Sequence, residues 1–169
     1  IYNHSLLRKE LTRSKGVISW RGNSDTETLL NCIDVWGIKK TIQKCSGMFA
    51  FAILDKRDKI LSLVRDRIGE KPLYYGMQSG VFLFASELKA IKKHPAFKGI
   101  VNRNALALQL KYSYIPAPYS IYEDIKKLLP GTILNINLKN LEKDIDSFAV
   151  PIPYWSLEST TKIYTGSSN

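Results

Sequence analysis

Residues 48–54 read Met-Phe-Ala-Phe-Ala-Ile-Leu, an apolar run with no polar alternation, bounded by Gly47 and by Asp55-Lys56-Arg57-Asp58. A run this short between turn residues is how a strand buried on both faces reads. The charged turn predicts a hairpin, with Lys59 to Val64 as its return strand. Leu73 to Gly76 and Val81 to Ala85 predict a second pair around Gln78-Ser79-Gly80. Tyr74 and Tyr75 then fall one on each face, and Thr132 to Leu138 reads as a last strand.

The flanks have helical period. Asn3 is placed to cap a helix running to about Lys15, with Leu6, Leu7 and Leu11 on one face and Gly16 ending it. Val17 to Trp20 reads as a short strand. Ser24-Asp25-Thr26-Glu27 has the form of a capping box, in which Ser24 bonds the amide three residues on and Glu27 reaches back. The helix that follows carries Leu29, Leu30, Ile33 and Trp36, and Gly37 closes it. A short helix over Lys39 to Lys44 is expected next, then helices over Ser86 to Lys93 and Asn104 to Tyr112. Tyr114-Ile115-Pro116-Ala117-Pro118 cannot be helix, because two prolines remove donors and bias their neighbours to extended geometry. Helices, then a buried sheet, then helices imply a layered α+β sandwich.

The formal charge of +10 raises a nucleic-acid reading. The basic residues come as scattered pairs, Lys39-Lys40, Lys92-Lys93 and Lys126-Lys127, and no basic run alternates with aromatics. No nucleic-acid-binding signature accompanies them. Solvated faces, or an acidic domain elsewhere in the protein, account for the imbalance. No apolar run approaches the roughly 20 residues that span a bilayer. Arg8, Lys9, Glu10, Arg13 and Lys15 interrupt any signal-peptide core. Cys32 and Cys45 lie in helical stretches, without a CxxC or a histidine at ligand spacing, and read as reduced, packed thiols of a cytoplasmic protein. His4 and His94 are far apart, so no metal site is expected. The opening Ile1-Tyr2-Asn3 reads as the interior of a longer chain.

Four blocks carry a functional signal. The first is Ile1-Tyr2-Asn3-His4 with Leu7-Arg8 and Glu10-Leu11. The second is Ser24-Asp25-Thr26-Glu27 with Leu29-Leu30 and Trp36-Gly37. The third runs from Gly47-Met48-Phe49-Ala50-Phe51-Ala52 to Arg65-Asp66-Arg67-Ile68-Gly69-Glu70-Lys71-Pro72-Leu73-Tyr74-Tyr75-Gly76. The fourth joins Phe84-Ala85-Ser86-Glu87-Leu88-Lys89-Ala90, Tyr114-Ile115-Pro116-Ala117-Pro118, Ser120-Ile121-Tyr122 and Lys127-Leu128-Leu129-Pro130-Gly131. In this order and spacing the chain, from Ile1 to about Trp155, resembles the glutaminase domain of the glutamine-hydrolysing asparagine synthases.

The resemblance implies part of a class II glutaminase: α+β, an αββα sandwich of the N-terminal-nucleophile hydrolase type. In that family an N-terminal cysteine hydrolyses glutamine to glutamate and ammonia. The ammonia passes to a C-terminal domain that uses ATP and Mg2+ to activate aspartate as its β-aspartyl-AMP. The implied partners are glutamine, aspartate and ATP, with no nucleic acid and no membrane, and with a homodimer left open. Residues 1–138 are then the C-terminal part of the glutaminase domain, and residues 139–169 a linker toward the synthetase domain.

The resemblance also implies what these residues lack. The nucleophile and the arginine that holds the glutamine carboxylate belong upstream. The Asn-Gly-Glu of the oxyanion hole directly precedes the family's Ile-Tyr-Asn. The Ser-Gly-Gly-x-Asp-Ser phosphate loop lies beyond Asn169. No catalytic residue is therefore assigned here, and the 169 residues alone are expected to be inactive.

Of the residues that touch glutamine in the family, Asp25 is the one carried over, as acceptor for the substrate α-ammonium. A carboxylate in a first helical turn is favoured by the macrodipole by about 0.3–1 kcal/mol, and it is a natural partner for an ammonium. On residues alone, a helix-start role for Asp25 is the commoner reading, and the resemblance reverses that order. Arg65 to Pro72 reads as a turn held by internal salt bridges that supports the pocket, and Ser86-Glu87 as a helix start. Two other functions stay open: a relative that amidates a sugar or another carboxylate in surface-polysaccharide synthesis, and a non-catalytic binding module.

Overall fold

A computed structural model describes residues 1–16, 18–140, 150–158 and 160–161. They fall into two compact units, residues 1–49 with 157–169, and residues 50–156.

The first unit contains α1 (His4–Lys15), α2 (Asp25–Trp36) and α3 (Ile38–Lys44). Leu7 and Leu11, one turn apart, are buried, whereas Leu6 is 64% exposed and leaves the stripe expected of it. Asn3 does not cap α1 with its side chain. Its Nδ2 donates to Lys44 O at 2.9 Å and its Oδ1 accepts from Ser46 N at 2.9 Å, tying the start of the chain to the end of α3. Gly16 stops α1 at φ +83°.

The strand expected before α2 does not form. Ile18 to Trp20 is irregular, and Val17 lies outside the described residues. An isolated extended segment needs a neighbouring strand to satisfy its backbone, and this unit supplies helices. The buried side of α2 is Thr28, Leu29 and Cys32, and that of α3 is Thr41 and Ile42. Leu30 is exposed.

The second unit is built on two antiparallel sheets. β1 (Ala50–Asp55), β2 (Ile60–Arg65), β6 (Thr132–Asn137) and β7 (Ile152–Pro153) form one sheet in the order β1-β2-β6-β7. β4 (Val81–Ala85), β3 (Tyr74–Gln78) and β5 (Ile125–Lys127) form the other, in the order β4-β3-β5. Leu63, Leu134 and Ile136 of the first sheet and Tyr75 of the second share one buried cluster with Leu73 and Leu128. Leu63 lies directly opposite Leu134.

Both expected hairpins form. In the first turn Asp55 Oδ1 accepts from the amides of Arg57 (2.8 Å) and Asp58 (3.1 Å). In the second, Ser79 and Gly80 both have positive φ, the two-residue turn whose twist suits adjacent antiparallel strands. Gly76 allows β3 and β5 to meet: a Cβ there would lie 1.8 Å from Asp124 O.

β1 is not covered on both faces. It lies at the edge of its sheet, and Ala52 and Leu54 are exposed. Lack of alternation marks both faces as fit for burial, and burial itself needs a neighbour. β6 is not the last strand either. Part of the segment expected as linker, Ile152–Pro153, pairs with Thr132 and Ile133. Tyr154 beyond it is buried and donates its hydroxyl to Arg65 O at 2.9 Å. Residues 141–149 and 162–169 of that expected linker lie outside the described residues.

Between the strands lie α4 (Leu88–Lys92) and α5 (Arg103–Tyr112). α4 starts two residues later than expected, with Glu87 as its cap residue and paired to Lys89 at 2.6 Å. Asn102 caps α5 by accepting from Ala105 N at 3.0 Å.

Candidate functional site

Asp25 is the first residue of α2, at the end of the loop leaving α1. Its Oδ2 accepts from the α-amino group of Ile1 at 2.5 Å. The Asp25 side chain is about half exposed, while the Ile1 side chain is nearly buried. That amino group, as a hydrogen-bond donor, holds the Asp25 carboxyl below its ordinary pKa, against a smaller opposing effect of burial. The charge of the same group, the Thr26 amide and His4 act in the same direction.

The loop before Asp25 is held by two charged side chains. Arg8 on α1 donates Nε to Thr28 Oγ1 at 2.7 Å, Nη1 to Gly22 O at 2.8 Å and Nη2 to Ser24 O at 3.0 Å. Its Nη2 also reaches Glu27 Oε2 at 3.3 Å, and its guanidinium lies 4.3 Å from the centroid of the Trp20 ring. Glu27 accepts from the amides of Arg21 (2.7 Å) and Gly22 (3.0 Å). These amides, Arg21 first, hold its carboxyl below the ordinary range, with help from the charge of Arg8.

The capping box is therefore not closed as the spacing suggests. Ser24 Oγ accepts from Thr26 N, two residues on, at 3.1 Å, and Glu27 takes the loop amides instead. Two residues from the first two sequence blocks, Arg8 and Glu27, pair with each other and hold the loop that leads into Asp25. Sequence reasoning assigned no function to Arg8 or Glu27. Their signal was present, since both lie inside motif blocks.

The loop over Arg65 to Pro72 is tied to backbone in the same manner. Buried Arg65 donates Nε to Lys71 O (2.8 Å), Nη1 to Leu128 O (2.6 Å) and Nη2 to Gly69 O (2.7 Å). Asp66 Oδ1 and Oδ2 accept from the amides of Glu70 (2.8 Å) and Lys71 (2.9 Å). Burial lowers the pKa of the Arg65 guanidinium. These bonds fasten the charged groups of the loop to main chain, where internal salt bridges were expected.

Cys32 and Cys45 are both buried as free thiols. Desolvation pushes the Cys32 thiol up to about 11. Neither has the exposed, electropositive setting of a nucleophilic cysteine. Among the described residues, no group of three or more His, Cys, Asp or Glu side chains is arranged to hold a metal, and no helix is long and apolar enough to cross a membrane.

Known proteins give this arrangement its class. The chain superposes on glutamine phosphoribosylpyrophosphate amidotransferase from B. subtilis, complexed with ADP and GMP, with a TM-score of 0.57 at 20% identity. That match covers 90% of this chain and 27% of the other. A second structure, described as the allosteric regulatory enzyme of purine biosynthesis, gives a TM-score of 0.52 at 22% identity, over 81% of this chain and 24% of the other. At these identities the likeness speaks to fold alone, and the fold is α+β of the N-terminal-nucleophile hydrolase type.

Residues 1–148 match the model of the glutamine amidotransferase domain, and the chain belongs to that family. It is 36% identical over 160 residues to asparagine synthetase (glutamine-hydrolyzing) 3 of Bacillus subtilis (strain 168), over 88% of this chain and 25% of that protein. It is 41% identical over 92 residues to asparagine synthetase (glutamine-hydrolyzing) 2 of Arabidopsis thaliana, over 54% of this chain and 15% of that protein. The chain thus spans about a quarter of the length of the first of these relatives.

Proposed function

We propose that this chain is the glutamine-binding and structural part of a glutaminase domain, in which Asp25 accepts the α-ammonium of glutamine. The whole protein would hydrolyse glutamine to glutamate and ammonia, and use the ammonia in an ATP-dependent amidation of aspartate to asparagine. The observation that carries the reading is the glutamine amidotransferase match over residues 1–148, together with the half-exposed carboxylate that Asp25 presents at the start of α2.

Where residue 1 is joined to a preceding residue, its nitrogen is a neutral amide. The carboxylate then keeps a charge that a ligand ammonium can meet. Family membership supports glutamine as the substrate, and the half-exposed carboxylate is consistent with the contact. A charge-assisted bond of this kind both orients the amino acid and favours its zwitterionic form.

The chemistry of hydrolysis belongs outside these residues. Two buried thiols, one raised to about 11, fit no nucleophile of the N-terminal-cysteine kind. The donor set does not fit magnesium-bound ATP either: the described residues hold no carboxylate cluster, and the sequence contains no phosphate-cradling Ser-Gly-Gly loop. No step of the reaction is therefore assigned to ATP or Mg2+ on this chain.

The test is Asp25→Asn in the full-length protein, with asparagine formation measured from glutamine and from ammonia. Loss of one charge-assisted bond is worth about 1.5–3 kcal/mol, roughly a 10- to 100-fold rise in glutamine KM. The ammonia-dependent rate should stay near wild type. An unchanged glutamine KM in a folded variant refutes the assignment of Asp25.

A further inference from the structure

The cluster behind Asp25 has more order than a helix start requires. An N-terminal turn is capped adequately by one side chain, and Ser24 already serves α2 in that way. Arg8 and Glu27 act on a different object, the backbone of residues 21–24 immediately before Asp25. Arg8 takes the carbonyls of Gly22 and Ser24, and Glu27 takes the amides of Arg21 and Gly22. Thr28, fully buried, accepts from Arg8 Nε and donates to Ser24 O at 3.2 Å, closing the ring of bonds.

The guanidinium is planar, and its donors are fixed relative to one another. Three of its nitrogens bonded at 2.7–3.0 Å, with one face against Trp20, leave it little freedom to rotate. Main-chain atoms held this way cannot swing, and Asp25 is the next residue along. Ammonium recognition depends on that carboxylate standing at a fixed point, since a displacement of about 1 Å can cost on the order of 100-fold in a reacting site.

We infer that Arg8, with Glu27 as its partner, is a positioning residue for Asp25 and sets the affinity and selectivity of the domain for a ligand that carries an α-ammonium. The inference rests on the reading of Asp25 given above. Arg8 does not touch the ligand. It acts through the carbonyls of Gly22 and Ser24, and Glu27 acts through the two amides of the same loop.

The experiment is a double-mutant cycle in the full-length protein with Arg8→Lys, Arg8→Met and Asp25→Asn. Glutamine KM, the ammonia-dependent rate and the thermal midpoint are measured for each. Arg8→Lys keeps the charge and loses the planar fork. It should raise glutamine KM about 3- to 30-fold, below the factor for Asp25→Asn, and leave the ammonia rate unchanged. Arg8→Met should do the same more strongly, and Arg8→Lys keeps the cycle readable where the Met variant fails to fold.

In the Asp25→Asn background the Arg8→Lys factor should shrink to less than about 2-fold, because Arg8 then has no charge to position. Four results overturn the inference. One is a lowered thermal midpoint with glutamine KM unchanged in Arg8→Lys. Another is a pair of factors that simply multiply in the double variant. A rise in KM for Asp25→Asn together with none for either Arg8 variant sinks the positioning role alone, whereas no rise for Asp25→Asn sinks the underlying reading with it.

Discussion

Replacing Arg65 by methionine tests the idea that loops of this domain are fastened by guanidinium groups reaching backbone carbonyls. Methionine keeps much of the side-chain length and removes the donors. In the folded chain the guanidinium makes bonds of 2.8, 2.6 and 2.7 Å to Lys71 O, Leu128 O and Gly69 O. Gly69, at φ +72°, packs so closely that a Cβ would lie 3.0 Å from Arg65 Cζ, so no water-sized gap separates them.

Each bond to a charged group contributes about 1.5–3 kcal/mol. The cost of burying the guanidinium opposes that gain, and the lowered pKa of Arg65 reports the cost. Removal of one partner from a buried charged arrangement therefore costs about 3–5 kcal/mol, less than three bonds added together. The assay is native-state amide hydrogen exchange in β2 and β6 of the full-length protein, which reads this unit without requiring the whole protein to unfold in one step. A loss of that size speeds exchange by roughly 100- to several thousand-fold. Arg65→Lys should fall between, because an ammonium is a compact donor without the fork. Acceleration under about 5-fold for Arg65→Met would mean that desolvation cancels the bonds, and the reasoning fails.

Two further outcomes follow from the geometry. Gly76→Ala should abolish soluble expression of the domain or strip exchange protection from β5, because the new methyl would lie 1.8 Å from Asp124 O, a main-chain atom that cannot move without breaking the β3–β5 pairing. Normal yield and protection in that variant would refute the close approach. Cys32, raised to about 11, should hold a thiolate fraction on the order of 0.1% at pH 8. It should resist N-ethylmaleimide until the protein is denatured, and the 169-residue chain should release no glutamate from glutamine. Stoichiometric native labelling, or glutamate above a protein-free blank, counts against this.

The legible parts of the sequence were those with a local physical cause. The hairpin at Asp55 to Asp58 is fixed by one aspartate that meets two amides, and the turn at Ser79-Gly80 by residues that tolerate positive φ. α2 begins where Ser24 supplies a capping oxygen, whereas the cap of α5, Asn102, lies upstream of the start expected at Asn104. Asp25 stands in the first turn of α2, where the sequence around it puts it. The illegible parts depend on neighbours. Ile18 to Trp20 has strand composition and, among the described residues, no strand paired with it. Ile152–Pro153 has linker composition and pairs with β6. β5 is three residues long with two lysines, so neither its length nor its pattern could announce it. Glu27 illustrates the limit within a motif: its spacing from Ser24 suits a capping box, yet the amides of Arg21 and Gly22 compete for the same carboxylate and win.

Arg8 and Arg65 also change how the net charge of +10 is to be understood. Both cations are turned inward onto main-chain oxygens, and each has a carboxylate nearby that takes amides of the same loop, Glu27 for Arg8 and Asp66 for Arg65. The arrangement answers a specific difficulty. A loop that must hold one conformation has no helix or sheet ladder to satisfy its polar groups, and leaving them to solvent permits many conformations at similar free energy. A guanidinium and a carboxylate can take carbonyls and amides of one loop at once and lose few rotamers in doing so. Such cations are not available to phosphate or to an acidic partner, so formal charge overstates the basic surface of this chain. A protein that reads nucleic acid needs the opposite arrangement, with its arginines free to leave the backbone. The positive charge here is in part a property of how the loops are built.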